Sequence, residues 1–309
     1  MLLGNIKTGM GEVFMTLNVE KRPGALGASV TGIDLSEPVS SNLFKKIMEV
    51  WNEHLLLVFP DQKLSKEEHI DFSRNFGELE VHPGGKHVLK DYPELLWLTN
   101  EKDAEGNYLS LRDGGSIWHS DLSYMAYPSR CSLLYAIDVP DDGGDTEWAN
   151  MYLAYDNLPN ELKKLIEGLK AVHQFDLADN PRFHPPSSMT EEDKKGSIWE
   201  KKSAEVKART PDVIHPIVRT HDVTNRKALF VNRRFTTHIV DMEENEGEEL
   251  LLELFSYIEN PENIYHHCWS KDQLLLWDNR CTVHLACGGV PEDQLRTMLR
   301  TTVRGGVPF

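Results

Sequence analysis

In the segment IWHSD, His119 and Asp121 stand two residues apart. Along an extended chain, residues i and i+2 share a face, so a strand here would aim an imidazole and a carboxylate at one point, with Ser120 turned away. A neutral ring nitrogen and a carboxylate oxygen suit a borderline divalent metal such as Fe(II). The same two residues also occur together as an ordinary hydrogen-bonded pair, so the metal reading needs a third ligand. LLLWDNRCTVHLACGG offers one far downstream, His284, in a strand-like run. Two histidines and one carboxylate leave coordination positions open for a bidentate co-substrate and then dioxygen. The remaining histidines offer less. His266 and His267 are adjacent, so a strand would send them to opposite faces. His215, His221 and His238 have no partner at a useful spacing, and surface or core hydrogen-bonding roles are expected of them.

A second set of chemistry-bearing residues lies in LRTMLRTTVRG. Arg296 and Arg300 are four apart, which on a strand gives them one face with Met298 and Thr302. A solvated strand edge is the plain interpretation. Against it, guanidinium groups bind carboxylates bidentately and stay charged when desolvated, so two of them near a metal could hold two different anions.

The elements that must position these groups are partly legible. SEPVSSNLFKKIMEVWNEH predicts a helix with Leu43, Phe44, Ile47, Val50 and Trp51 on one stripe. LLLVF, stopped by Pro60, predicts a buried strand. LSKEEHIDFSRNFGEL predicts a helix with a Ser65/Glu68 capping box and a stop at Gly77. CSLLYAIDV reads as a strand ending in the turn PDDGGD, and a helix is expected from about Asn160 with Leu162, Leu165, Ile166 and Leu169 on one face. Residues 173–210 are polar and rich in Pro, Asp, Lys and Glu, the texture of a lid or a disordered loop. IHPIVRTH, KALFVNRRF, QLLLWDN and RTMLRTTVRG predict further strands, interrupted by one helix, EGEELLLELFSYI. Many strands, few helices and no βαβ alternation point to a mainly β fold with flanking helices, an antiparallel sandwich or jelly roll.

Composition sets the outer limits. The 309 residues carry 33 Lys plus Arg against 49 Asp plus Glu, a net charge of −16, which argues against a nucleic-acid partner. No apolar run approaches membrane-spanning length, and the first residues are too weakly apolar for a secretory signal, so no membrane partner and a cytoplasmic location are expected. Cys131, Cys268, Cys281 and Cys287 lack zinc-ribbon pairing, and buried reduced thiols are expected of them.

Taken in order, IWHSD, GGDTEW, WDNRCTVH and RTMLR resemble the Fe(II)/2-oxoglutarate-dependent dioxygenases of the taurine and dichlorophenoxyacetate branch. The likeness covers nearly the whole chain. It starts near Met15, which makes residues 1–14 an N-terminal extension and 15–309 the dioxygenase domain. The resemblance implies a double-stranded β-helix, with Fe(II) held by His119, Asp121 and His284. It implies that Arg296 and Thr146 hold the distal carboxylate of 2-oxoglutarate, and that Arg300 and His82 hold an acidic group of the substrate. Two positions depart from the taurine pattern. Gly85 and Gly115 stand where those enzymes carry a tyrosine and an asparagine, so two polar contacts are missing and the pocket should be roomier. GGDTEWANMYLAYDNLP and WDNRCTVH are nearer the aryloxyalkanoate branch. A small anionic organic substrate, a carboxylate, sulfonate or phosphonate, is therefore expected alongside dioxygen. An aspartate at 121 also argues for hydroxylation, because halogenases on this scaffold leave that position open for chloride. Relatives form dimers or tetramers, so a homo-oligomer is expected. Two other classes stay open on the residues alone. A zinc-dependent hydrolase would use the same triad but needs no second anion clamp, and a non-catalytic jelly-roll anion-binding protein would need no metal. Trp118 and Trp277 could wall the metal or simply pack the core.

Overall fold

The computed structural model describes every residue except 1, 8–11, 82–86, 111–113, 178–179 and 181; the side chains of 2–16 are also outside the description. Strands in chain order are β1 (Leu2–Lys7), β2 (Glu12–Lys21), β3 (Ala28–Thr31), β4 (Leu56–Phe59), β5 (Val88–Leu89), β6 (Tyr92–Thr99), β7 (Ser129–Asp138), β8 (Thr146–Asn150) and β9 (Lys170–His173). They continue as β10 (Val213–Pro216), β11 (Val218–Thr220), β12 (Lys227–Leu229), β13 (Thr236–Ile239), β14 (Ile264–His267), β15 (Leu274–Asp278), β16 (Thr282–Ala286) and β17 (Thr297–Arg304). The helices are α1 (Ser41–His54), α2 (Lys66–Arg74), α3 (Met151–Asp156), α4 (Asn160–Ile166), α5 (Glu191–Lys194), α6 (Ala204–Arg209) and α7 (Glu244–Ile258).

Two sheets matter for the site. A nine-stranded sheet runs β1-β2-β3-β4-β15-β7-β17-β6-β5, and a three-stranded sheet runs β14-β8-β16. Strand alternation gives the large sheet two different faces. Leu57, Phe59, Leu133, Leu274 and Leu276 turn to one side and pack on Leu43, Ile47 and Trp51 of α1 and Phe72 of α2. Leu56, Val58, Leu134, Leu275 and Trp277 turn to the other side and meet Trp148 and Ala149 of the small sheet. The fold is thus mainly β with a few helices outside. The central strands are apolar on both faces because both are covered, which is why LLLVF and QLLLW read as unbroken apolar runs.

Local chemistry sets the helix limits. Ser40 caps α1 by accepting from Leu43 N, and Leu55 in the left-handed region (φ 64°) ends it directly before β4. The capping box at Ser65 and Glu68 forms as expected. Four expectations need correction. The α4 helix stops at Ile166, Leu165 is exposed, and Leu169 lies outside it. KALFVNRRF contributes only the three residues of β12, because residues 233–235 form a turn in which Asn232 Oδ1 accepts from the Phe235 amide, and Arg234 and Phe235 line the cavity. The described part of 173–210 carries α5 and α6 and is tied down by Lys207–Asp176 at 3.0 Å and Arg182–Glu248 at 2.6 Å, so it is not unstructured. Cys268 and Cys287 are exposed, while Cys131 and Cys281 are buried as expected.

Candidate active site

The IWHSD segment is not a strand. His119 forms an isolated antiparallel bridge with His284 of β16, the amide of each donating to the carbonyl of the other at 3.0 and 2.7 Å. Asp121 follows in a turn, with Leu122 in the left-handed region (φ 55°). The bridge therefore does what strand alternation was expected to do. It brings His119 Nε2 and His284 Nε2 each to 3.9 Å from Asp121 Oδ1. The three side chains form a group whose ligand atoms all lie within 4.8 Å of one another, and all three are buried.

The donor set fits a divalent metal on its own chemistry. His119 Nδ1 lies 2.8 Å from the carbonyl of Ile117, which fixes its proton there and leaves Nε2 as a lone pair. Burial lowers the pKa of both imidazoles, well below the usual value for His284, so both are neutral ligands near pH 7. Burial alone would raise the Asp121 pKa; Arg300, then His284 and His119, and the Ser132 hydroxyl outweigh it and hold the carboxyl below its ordinary range. Asp121 is oriented through both oxygens. Ser132 Oγ donates to Oδ2 at 2.6 Å and Arg300 Nη1 to Oδ1 at 2.7 Å. Asn279 is the hub behind this arrangement. Its Nδ2 donates to Ser132 Oγ and Ser129 Oγ at 3.0 Å, and its Oδ1 accepts from the Asp121 amide at 3.2 Å and Trp277 Nε1 at 3.0 Å.

A cavity of about 360 Å³ opens between the facing sides of the two sheets, within the size range of small-molecule sites. It is lined by the triad and by Thr146, Arg296, Arg300 and Arg234, with Trp148, Trp277 and Phe235 among its apolar walls. Trp277 thus lines the cavity and packs the core, whereas Trp118 is buried outside the lining. Arg296 Nε donates to the Gly144 carbonyl at 2.9 Å, and burial lowers its pKa to about 10, with Asp145 and Cys287 opposing. Thr146 Oγ1 accepts from Trp269 Nε1 at 3.0 Å. Gly144 is needed there: at φ +72° a Cβ would meet Arg296 Cδ at 2.8 Å. Gly115 lines the cavity, where a Cβ would meet Ala286 at 3.1 Å, in keeping with the roomier pocket expected from its lack of a side chain. His82 and Gly85 lie outside the described residues.

Sequence reasoning missed Arg234, Ser132 and Asn279. The first was legible: in NRRF two adjacent arginines must diverge, and Arg233 pairs with Glu259 at 2.7 Å while Arg234 is buried against Phe235. Ser132 and Asn279 carry no pattern, since their role depends on where three separate segments meet. The other histidines behave as expected. His266 is exposed and His267 buried. His215 meets the Met125 carbonyl at 3.0 Å, and His221 meets Asp278 at 3.1 Å.

Two histidines and one carboxylate converging on an arginine-bearing cavity fit the open three-residue sets of catalytic metal centres, metal-dependent oxygenases among them, better than a closed structural site. The model of the taurine catabolism dioxygenase TauD, TfdA family matches residues 18–302. The chain is 34% identical over 271 residues to an alpha-ketoglutarate-dependent 2,4-dichlorophenoxyacetate dioxygenase of Cupriavidus pinatubonensis, covering 83% of this chain and 87% of that one. It is 31% identical over 296 residues to an alkylsulfatase of Acinetobacter baylyi, covering 94% and 86%. Among solved structures, AAD-2 in complex with Mn(II) and N-oxalylglycine aligns with a TM-score of 0.76 at 29% identity, covering 95% of this chain and 99% of that one. The chain belongs to the TauD/TfdA family and is a 2-oxoglutarate-dependent dioxygenase. The hydrolase and metal-free alternatives find no support. Among the described residues, no helix is long and apolar enough to cross a membrane.

Proposed function

We propose that this dioxygenase uses Fe(II) at His119, Asp121 and His284 to hydroxylate a small anionic organic substrate, an aryloxyalkanoate, a sulfonate or a similar acid. Where the hydroxylated carbon bears a heteroatom, the product loses that leaving group. The observation that carries the proposal is that three ligating atoms and three guanidinium groups open onto one cavity. Bound iron and 2-oxoglutarate supply the oxidising power, with succinate and carbon dioxide as by-products. The protein's own residues do the rest. Arg296, its plane fixed by Gly144, and Thr146 hold the distal carboxylate of 2-oxoglutarate. Arg300 and Arg234, with His82, hold the substrate's acid, so that its reactive C–H faces the metal. Trp148, Trp277 and Phe235 exclude water around it. Arg300 also neutralises Asp121, so it serves two anions from one wall. The 173–210 segment, which places Phe175 at the cavity, acts as a lid.

The two facing sheets fit a double-stranded β-helix, or jelly roll, spanning 15–309. The chain is taken to act in the cytoplasm as a homo-oligomer, dimer or tetramer. Relatives that are 2,4-dichlorophenoxyacetate, (S)-phenoxypropionate and sulfonate dioxygenases and an alkylsulfatase support aryloxyalkanoates and sulfur oxyanion compounds as substrate classes.

The test is anaerobic titration with Fe(II) and 2-oxoglutarate. A visible charge-transfer band is expected, lost in His119→Ala. Arg296→Ala should weaken 2-oxoglutarate binding while iron binding holds, and Arg300→Ala should mainly raise the apparent constant for an acidic substrate. No band with the intact protein would sink the proposal. Substrate-triggered succinate release from a panel of aryloxyacids, sulfonates and phosphonates then identifies the class.

A further inference from the structure

The outer face of the β14-β8-β16 sheet carries an unusual row of side chains. Register pairs His266 with Glu147 and His267 with Thr146, and on the other edge Leu285 with Glu147 and Ala286 with Thr146. Alternation then fixes what each face receives. Thr146, His267, His284 and Ala286 turn inward, three of them to buried positions. Asp145, Glu147, His266, Cys268 and Cys287 turn outward at the open end of the sheet, beyond the part of that face where Ala149 and Val283 are packed in the core. Five of the side chains proteins use for metal ligation thus share one small surface.

Their atoms converge as well as their strands. His266 Nε2 lies 2.8 Å from Asp145 Oδ2, and Nδ1 lies 3.1 Å from Glu147 Oε1. The Cys268 thiol donates to the same Asp145 oxygen at 3.3 Å. Asp145, His266 and Cys268 offer ligand atoms all within 4.8 Å of one another, and so do Glu147, His266 and Cys287, the two groups sharing His266. Solvated polar faces are common, but they are seldom built from a thiol, an imidazole and a carboxylate converging within 4.8 Å, as Cys268, His266 and Asp145 do here.

We propose that this face binds a divalent cation of the zinc class, held by Asp145, His266 and Cys268 and completed by water. Sulfur and imidazole ligands select zinc, cobalt or nickel over calcium and magnesium, whose oxygen cages this set does not resemble. The site is separate from the inner triad, which contains no sulfur. It lies on the back of β8, the strand whose inner face carries Thr146, and Asp145 joins that strand to Gly144, the partner of Arg296.

Cobalt(II) distinguishes the two sites, because only thiolate ligation gives an intense near-ultraviolet sulfur-to-cobalt charge-transfer absorption. The intact, fully reduced protein is titrated anaerobically with Co(II). The band should grow to saturation at one thiolate-bound ion per chain and should be abolished by added Zn(II). His119→Ala should leave the band intact. Cys268→Ser and His266→Ala, both at exposed positions, should each lose it or weaken Co(II) affinity at this site by at least about tenfold. Absence of the band in the intact protein at excess Co(II) overturns the proposal. So does a band that survives unchanged in both variants, or one that disappears in His119→Ala. None of these outcomes depends on turnover, so failure here leaves the dioxygenase reading to its own test.

Discussion

Asp121 is held from three directions. Ser132 takes one oxygen, Arg300 the other, and Asn279 the backbone amide. Groups that orient a ligand commonly change metal affinity by about 10–100-fold when removed. Ser132→Ala should therefore weaken Fe(II) binding by about that factor, read by anaerobic equilibrium titration, while leaving the fold intact because a small buried hydroxyl is all that is lost. Unchanged affinity would mean that Arg300 alone orients the carboxylate. At the same scale Gly144 keeps Arg296 in place. Gly144→Ala sets a Cβ 2.8 Å from Arg296 Cδ in a left-handed backbone position, so 2-oxoglutarate binding should weaken by about tenfold, or about 1.4 kcal/mol. Iron affinity measured in parallel should hold, which separates this effect from general unfolding.

The element that matters most is the connection between β15 and β16, which carries the chain from the large sheet to the small one. Arg280, 1% exposed, locks it. Its Nε and Nη2 bind the two oxygens of Asp278 at 2.8 and 2.6 Å, Nη1 reaches Asp222 at 2.9 Å, and the guanidinium lies over Trp51 at 5.2 Å. Arg280 holds the Asp278 carboxyl below its ordinary range against the opposing effect of burial. Removing one partner of such a buried pair leaves an uncompensated charge and destabilises by about 3–5 kcal/mol. Arg280→Ala should lower the urea midpoint accordingly. Replacement of both Arg280 and Asp278 by apolar residues of similar size should recover part of the loss, and equal damage in single and double variants would contradict the charge argument. Asn279 sits inside this connection, so its displacement would also loosen the Asp121 hub.

Across the whole molecule, buried histidines give stability a definite pH dependence. Burial lowers the pKa of His69 and His267 from 6.5 to about 4 and of His173 to about 3. In the unfolded chain these rings take up protons near pH 6.5, while in the folded chain they do not. Between pH 6.5 and about 4 the unfolded state thus binds more protons, so stability falls as the pH drops through this window and is fully present above it. Urea midpoints measured in metal-free buffer at pH 7.5 and 5 should fall with acidity. A midpoint that rises on acidification would show that these rings are protonated in the native state.

Parts of this protein follow from one-dimensional pattern alone. Apolar alternation and capping chemistry specify α1, α2, β4, β15 and β17, because those signals act between neighbours in the chain. The candidate ligands His119, Asp121 and His284 and the cavity arginines Arg296 and Arg300 were legible from residue type and order, and the structure brings them to one cavity. The geometry of the triad was not legible. IWHSD is no strand, and His119 and Asp121 converge because a two-hydrogen-bond bridge ties His119 to a strand that lies 165 positions away in sequence. Ser132 and Asn279 act where separate segments meet, as do the donors of the outer face, and no local pattern marks such meetings. Contact between residues distant in sequence is decided by how two sheets pack, and packing rewards the whole set of buried faces rather than any one residue. The residues thus carried the chemistry in their types, and the tertiary structure decided which of them share a surface.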